Sequence, residues 1–257
     1  MARDARTPAP PAGTGDSAVT QDYLKAVWSA SEWGGPGASI TGLARRMGVA
    51  PSTASENVTR LVEAGLLVHE PYKAVTLTER GHALATSTVR RHRLLETYLV
   101  ERLGLTWDEV HDEAEVLEHA VSDRLLTALD EALDHPVRDP HGDPVPAPDG
   151  TCVQPALRSV DTLRVGQTGV VGRILDDVAT LRELAAAGIG LDTPVTVVDR
   201  VAASSPAAGE ATGRSGRSAR RRSSVLRAVL PVGAPRPEQE TATVAVGSLW
   251  VLDERAR

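Results

Sequence analysis

Apolar residues recur at helical spacing through the first half of the chain and in short strand-like runs through the second. Val19, Tyr23, Ala26, Val27 and Ala30 line one face of a helix predicted over 17–33, which Gly34-Gly35-Pro36-Gly37 ends. Ile40, Leu43, Ala44 and Met47 mark a second, short helix. Gly48-Val49 makes a tight turn, and Pro51 suits the first turn of a third helix, with Ala54, Val58, Leu61 and Val62 as its stripe and Gly65 as its stop. Two short helices joined by a tight turn are the shape of a helix-turn-helix. The following run, LLVHEPYKAVTLT, alternates as two strands around a tip at Pro71-Tyr72-Lys73, which predicts a wing.

Thr78 then reads as an N-cap for a long helix over 79–102. Thr106 or Asp108 opens the next helix, and Leu125, Leu126, Leu129 and Leu133 pattern one more over Ser122 to Leu133. The stretch 134–150 is rich in Pro, Asp and Gly and reads as a linker. From about 156 the runs TGVVGRI, TPVTVVD, SVLRAVL and TVAVGSLWVL predict strands, interrupted by a helix near Thr180 to Ala187 that Gly188 stops. A small barrel fits them. The fold class is therefore α+β. A disordered tail (1–16) precedes a winged helix-turn-helix (17–78). A helical domain (79–135), a Pro-rich linker (136–156) and a small β-barrel (157–257) follow, with a mobile basic insertion near 202–224.

Composition narrows the function. No run of 18 apolar residues spans a membrane, and the first residues lack the apolar core of a secretory signal. The single cysteine, Cys152, rules out an internal disulfide framework and a Cys-rich zinc site, and suits a reducing, cytoplasmic setting. Net charge is −6, and 17–78 holds five Lys/Arg against five Asp/Glu, so any contact with DNA is local and its non-specific part modest.

The densest chemistry is in HDEAEVLEH, His111 to His119, with two histidines and four acids in nine residues. His111, Glu115, Glu118 and His119 fall at i, i+4, i+7 and i+8, one helical face. A solvated acidic face explains Asp112 and Glu113. The aligned quartet fits a bound dication better, because like charges one turn apart weaken a helix and a cation reverses that repulsion. His92 and Glu96 repeat the i,i+4 spacing on the preceding helix. Protease, nucleophile-elbow and phosphate-loop motifs are absent, which points away from an enzyme and from a small-molecule substrate. Carboxylate and imidazole donors without sulfur suit Mn2+.

In that order of parts, and in VAPSTASENVTRLVEAGLL, VRRHRLLETYLVERLGLTWDEVHDEAEVLEHAVSD and HPVRDPHGDPVP, the chain resembles the DtxR/MntR family of iron- and manganese-dependent transcriptional repressors. The resemblance implies an SH3-like barrel, a homodimer and metal-loaded binding of double-stranded operator DNA. It places a primary site at Asp22, Glu115, Glu118 and His119, and an ancillary site at His92, Glu96 and His111. Asp22 and Glu115 are the manganese-type ligands; the iron-sensing branch has Met and Cys there, so Mn2+ is expected, with Fe2+ the alternative. Lys25, where compact manganese repressors carry Glu, argues for two separated sites. Barrel-bearing relatives lend a Glu and a Gln to the ancillary metal; both cannot be placed here, and Asp177 is the stand-in for the Glu.

On the third helix, Pro51, Ser52, Thr53, Ser55 and Glu56 would face bases, with small hydroxyls and a proline suited to thymine methyls and phosphates. Arg60 would lie near the backbone, and Tyr72 and Lys73 at the wing tip would reach a flanking groove. The competing readings are an iron-responsive repressor of the same family and a winged-helix DNA binder whose metal is purely structural.

Overall fold

The computed structural model describes residues 17–107, 109–202, 222–229 and 241–253. The tail expected over 1–16, Asp108, and 203–221 of the basic insertion lie outside the described residues. Among those described, no helix is long and apolar enough to cross a membrane. The chain packs as two compact units. One comprises the chain to His92 with Val116–Asp123 and Pro146–Cys152; the other comprises Arg93–Glu115, Arg124–Val145 and the chain from Val153.

In the first unit, α1 (Ala18–Glu32) begins at Ser17, whose hydroxyl accepts the Thr20 N–H. Ser39 caps α2 (Ile40–Arg46) in the same way through Gly42. The third helix, α3 (Pro51–Glu63), starts with proline and has no side-chain cap. Gly65, at φ +69°, reverses the chain after it, a left-handed conformation that side chains resist. Strands β1 (Leu67–Val68) and β2 (Thr76–Leu77) pair antiparallel, Leu67 opposite Leu77, and form the wing. Tyr23, Leu24, Val27, Leu43, Val58, Leu61, Leu66 and Val75 are the shared core. Burying each large aliphatic side chain contributes about 1.5–3 kcal/mol.

Thr78 accepts the Gly81 N–H and opens α4 (Glu79–Leu103), as its sequence predicts. The next helix, α5 (Val110–Leu117), starts after Thr106, whose carbonyl accepts from Glu109 and Val110 and whose hydroxyl bonds Glu109. It ends two residues sooner than the i to i+8 face requires. The N–H groups of Ala120 and Val121 both turn back to the Leu117 carbonyl, so Glu118 and His119 sit on a turn. Helix α6 spans Asp123–Ala132.

The second unit carries an antiparallel sheet of six strands: β3 (Leu157–Ser159), β4 (Thr168–Ile174), β5 (Pro194–Ala202), β6 (Arg222–Ala228), β7 (Ala242–Val244) and β8 (Leu249–Leu252). Their order is β3-β8-β4-β5-β6-β7. Register shifts in the β4–β8 and β5–β6 pairs bend this sheet, where the strand runs predict a small barrel and the family resemblance implies an SH3-like one. Helix α7 (Val178–Ala186) lies beside it, capped by Asp177, and begins two residues before the expected start at Thr180. Val171, Ile174, Leu184, Val195, Val197, Leu226 and Leu249 form a core against which Trp107 packs. Ala202 and Arg222–Ser224, read as the edges of the insertion, belong to strands.

The stretch 134–150 is not a solvated spacer. Asp139 and His141 are buried, and the Asp139 carboxylate accepts the N–H groups of His141 and Asp143. The His141 carbonyl receives the Ile174 N–H of β4. Gly142, at φ +92°, lies so close to β4 that an added Cβ would stand 2.3 Å from the Gly172 carbonyl oxygen.

Candidate metal centres and DNA-reading surface

Asp22 on α1 and Glu118 and His119 after α5 converge, each offering a ligand atom within 4.8 Å of the others. His119 Nε2 stands 3.0 Å from Asp22 Oδ1 and 3.5 Å from Glu118 Oε1. Its Nδ1 lies 2.7 Å from the Gln21 side-chain oxygen. Both ring nitrogens therefore face oxygen atoms, Nδ1 that of Gln21 and Nε2 those of the two carboxylates. Gln21 thus orients the ring as an outer partner does at a metal site.

Glu118 is fully buried and has two further partners. Lys25 Nζ donates to both of its oxygens, at 2.9 and 2.7 Å, and His92 Nδ1 lies 2.6 Å from Oε2. Burial pushes this carboxyl up, but the hydrogen bond from His92 and the charge of Lys25 outweigh it, holding it below the usual range. Sequence reasoning registered Lys25 only as a departure from relatives. Its burial, at 6% exposure, depends on a partner 93 residues away.

Glu115 has a different neighbour. Its carboxylate is half-exposed and lies 3.5 Å from His111 Nε2. His111 Nδ1 is 3.1 Å from Glu96 and 3.1 Å from Asp176. Hydrogen bonds to Glu115 and Glu96, then the charge of Asp176, raise the His111 pKa to about 10 against the opposing effect of burial. His92 is one turn before Glu96 on α4, the i,i+4 spacing expected. The barrel residue beside this group is Asp176, not the expected stand-in Asp177, whose carboxylate accepts from Thr180 N–H at the start of α7.

A third group was missed. Glu96, Asp139 and His141 are all buried with ligand atoms within 4.8 Å of one another. His141 Nε2 has no hydrogen-bond partner, and Asp176 Oδ1 is 3.9 Å away. Burial, then the neighbouring Asp143, pushes Asp139 well above the usual carboxylate range despite the Arg93 guanidinium. The signal was an Asp and a His two residues apart in a stretch whose prolines and glycine suggested only a linker.

On the reader, Pro51, Ser52, Thr53, Ser55, Glu56 and Arg60 are all exposed on α3. Arg60 bonds Asn57 at 2.8 Å, and the Ser55 carbonyl accepts from Thr59. Tyr72, in the left-handed region at φ +65°, projects fully from the wing tip, and Lys73 pairs with Glu70 at 2.6 Å. Arg45 and Arg46, exposed in the last turn of α2, were not anticipated.

Residues 17–75 match the iron-dependent repressor N-terminal DNA-binding domain, and residues 78–147 match the iron-dependent repressor metal-binding and dimerisation domain. The iron-dependent repressor IdeR of Mycobacterium leprae is 32% identical over 196 residues, spanning 70% of this chain and 83% of that protein. The chain belongs to this family of metal-dependent repressors. IdeR of Mycobacterium tuberculosis is 36% identical over 132 residues, half of this chain and 55% of its own length. Thus, in that alignment, the chain spans about half the length of the curated relative. A solved structure described as a manganese-dependent transcriptional repressor in complex with manganese is 43% identical, with a TM-score of 0.74 over 92% of this chain and all of that one. The family's members are repressors rather than enzymes, and their matched domains are those for DNA binding and dimerisation.

Proposed function

We propose that this chain is a dimeric repressor that binds palindromic operator DNA when loaded with Mn2+ and thereby controls genes of metal homeostasis. The observation that carries this reading is the convergence of Asp22, Glu118 and His119. These donors fit the ion: two carboxylates and an imidazole, with no sulfur, are a hard set. Glu115 is the fourth donor that the family resemblance names. The family resemblance assigns a second ion to His92, Glu96 and His111; of these, Glu96 and His111 stand together with Asp176. When bound, the ion supplies a charged cross-link.

Asp22 is on the helix that packs under the reader, and Glu118 and His119 follow α5. A cross-link between them restricts how α1 and its attached helix-turn-helix move. The DNA-competent arrangement is selected because it holds the ion best. In a dimer, two readers would then be spaced for successive major grooves. The uncapped first turn of α3 offers N–H groups to a phosphate. Exposed Leu125 on α6, and Val116 and Leu117 at the end of α5, are apolar surface that a second copy would cover.

Fluorescence anisotropy on a palindromic operator fragment tests this, with Mn2+, Fe2+, Zn2+ or EDTA added to wild type and to Asp22→Ala. Binding that needs Mn2+ and disappears in the variant supports the reading. Equal activation by Fe2+ favours the iron-responsive alternative. Binding indifferent to EDTA leaves a winged-helix DNA binder with a structural metal.

A further inference from the structure

An asparagine on a DNA-reading helix ordinarily reads adenine with its amide. Asn57 of α3 is half-buried, and its amide is engaged within the protein. Nδ2 donates to the Thr53 carbonyl at 3.0 Å and to the Tyr23 hydroxyl at 3.4 Å, while Oδ1 accepts from Arg60 Nη2 at 2.8 Å. The partners fix this orientation. A guanidinium only donates and a carbonyl only accepts, so the amide oxygen faces Arg60 and the nitrogen faces Thr53. Tyr23 is buried at 1% exposure and directly follows Asp22 on α1. Arg60 is exposed on α3. The three side chains therefore run from the core of the reader to its open face.

We propose that Asn57 is a positioning residue for DNA binding: anchored to Tyr23 and Thr53, it holds the Arg60 guanidinium ready for a backbone phosphate and reads no base itself. This rests on the reading of α3 as the helix that meets DNA. A free arginine side chain loses rotamer freedom when it engages a phosphate, and one already held by Asn57 loses less. Both amide hydrogens of Asn57 point to oxygens of the protein, so a base edge would have to displace them. The Tyr23 hydroxyl sets where Asn57 stands. The placement of Arg60 therefore follows α1, the helix that bears Asp22.

The test is a double-mutant cycle on the full chain with Mn2+ present. Fluorescence anisotropy at stepped salt measures binding to a palindromic operator fragment and to a scrambled duplex of the same composition. The proteins are wild type, Asn57→Ala, Arg60→Ala, the double variant and Tyr23→Phe, which keeps the buried ring and removes only the hydroxyl. Arg60→Ala should weaken binding and lower the salt dependence by about one phosphate contact. Asn57→Ala should weaken binding about 2- to 10-fold, the cost of ordering one long side chain, by the same factor on both duplexes and with the salt dependence kept. Tyr23→Phe should show a smaller loss of the same kind. In the Arg60→Ala background, Asn57→Ala should cost nothing further, which a merely structural role would not produce. Additive losses, or a loss confined to the palindrome as a base-reading amide gives, would overturn the role of Asn57 and leave the repressor reading intact. Failure of the wild type to bind either duplex would overturn that reading, and the role of Asn57 with it.

Discussion

Two groups of acids and histidines in this chain differ in the way each handles its charge. Around Glu118, a buried carboxylate is compensated by Lys25 and His92, while Asp22 and His119 keep about a third and a quarter of their side-chain surface open. Around Asp139, three buried groups crowd together, the acid is pushed up, and His141 Nε2 has no partner. The first group keeps two of its donors partly open to solvent. The second is held by the fold, with its backbone hydrogen bonds to His141 and Asp143 as the anchors. Similar residue types therefore yield an accessible, charge-balanced centre in one place and a sealed, incompletely satisfied one in another.

The sharpest way to break this contrast is to remove Glu118. Glu118→Ala strands the buried Lys25 ammonium and should cost on the order of 3–5 kcal/mol in urea unfolding of the metal-free protein. A loss under about 1 kcal/mol, the range of exposed pairs, would mean that the pair is effectively solvated. Replacing Asp22 with Asn, at a partly open position, should barely change that stability. It should weaken Mn2+ binding by at least the ~10–100-fold typical of losing an outer partner, as measured by calorimetric titration. On the sealed side, Gly142→Ala forces a Cβ against the Gly172 carbonyl and a left-handed backbone. A loss of about 1–3 kcal/mol or more is expected in thermal melts.

A pH titration probes His111, which belongs to neither extreme. Its folded pKa is raised to about 10 from 6.5, chiefly by Glu115 and Glu96. Its contribution to metal-free stability is therefore complete below pH 6.5 and fades as pH climbs through 10. Metal requires the neutral ring, so Mn2+ affinity should rise over the same window and the rise should flatten in His111→Asn, read by dialysis at stepped pH. Acid acts oppositely on Glu118, whose lowered pKa means that its contribution is present above 4.5 and lost as pH falls below that value. The smallest effect belongs to the wing. Lys73→Ala breaks an exposed pair worth ~0–1 kcal/mol, leaves the melting curve nearly unchanged, and should lower the salt dependence of operator binding by about one phosphate contact.

Local residues alone determined the reader and the helical frame. Ser17, Pro51, Gly65 and Thr78 act within one turn of themselves, and the apolar stripe of α3 has a period that a single strand of text displays. The strand TGVVGRI was legible for the same reason and coincides with β4. Strand β3 was not, because three residues carry no period and their partner, β8, lies more than ninety positions on. The end of α5 also escaped the pattern, since spacing continues through a turn as easily as through a helix.

The residue types of the two expected metal sites were visible in HDEAEVLEH and in the i,i+4 pair of α4, and Asp22, Glu118 and His119 meet in space. Tertiary structure alone decided that Lys25 would be buried against Glu118, that Asp176 rather than Asp177 would approach His111, and that a Pro-rich stretch would enclose His141. The physical reason is range. Caps, turns and amphipathic faces are interactions between near neighbours, whereas the charge state and partners of a buried side chain depend on groups that only the folded chain brings within a few ångströms.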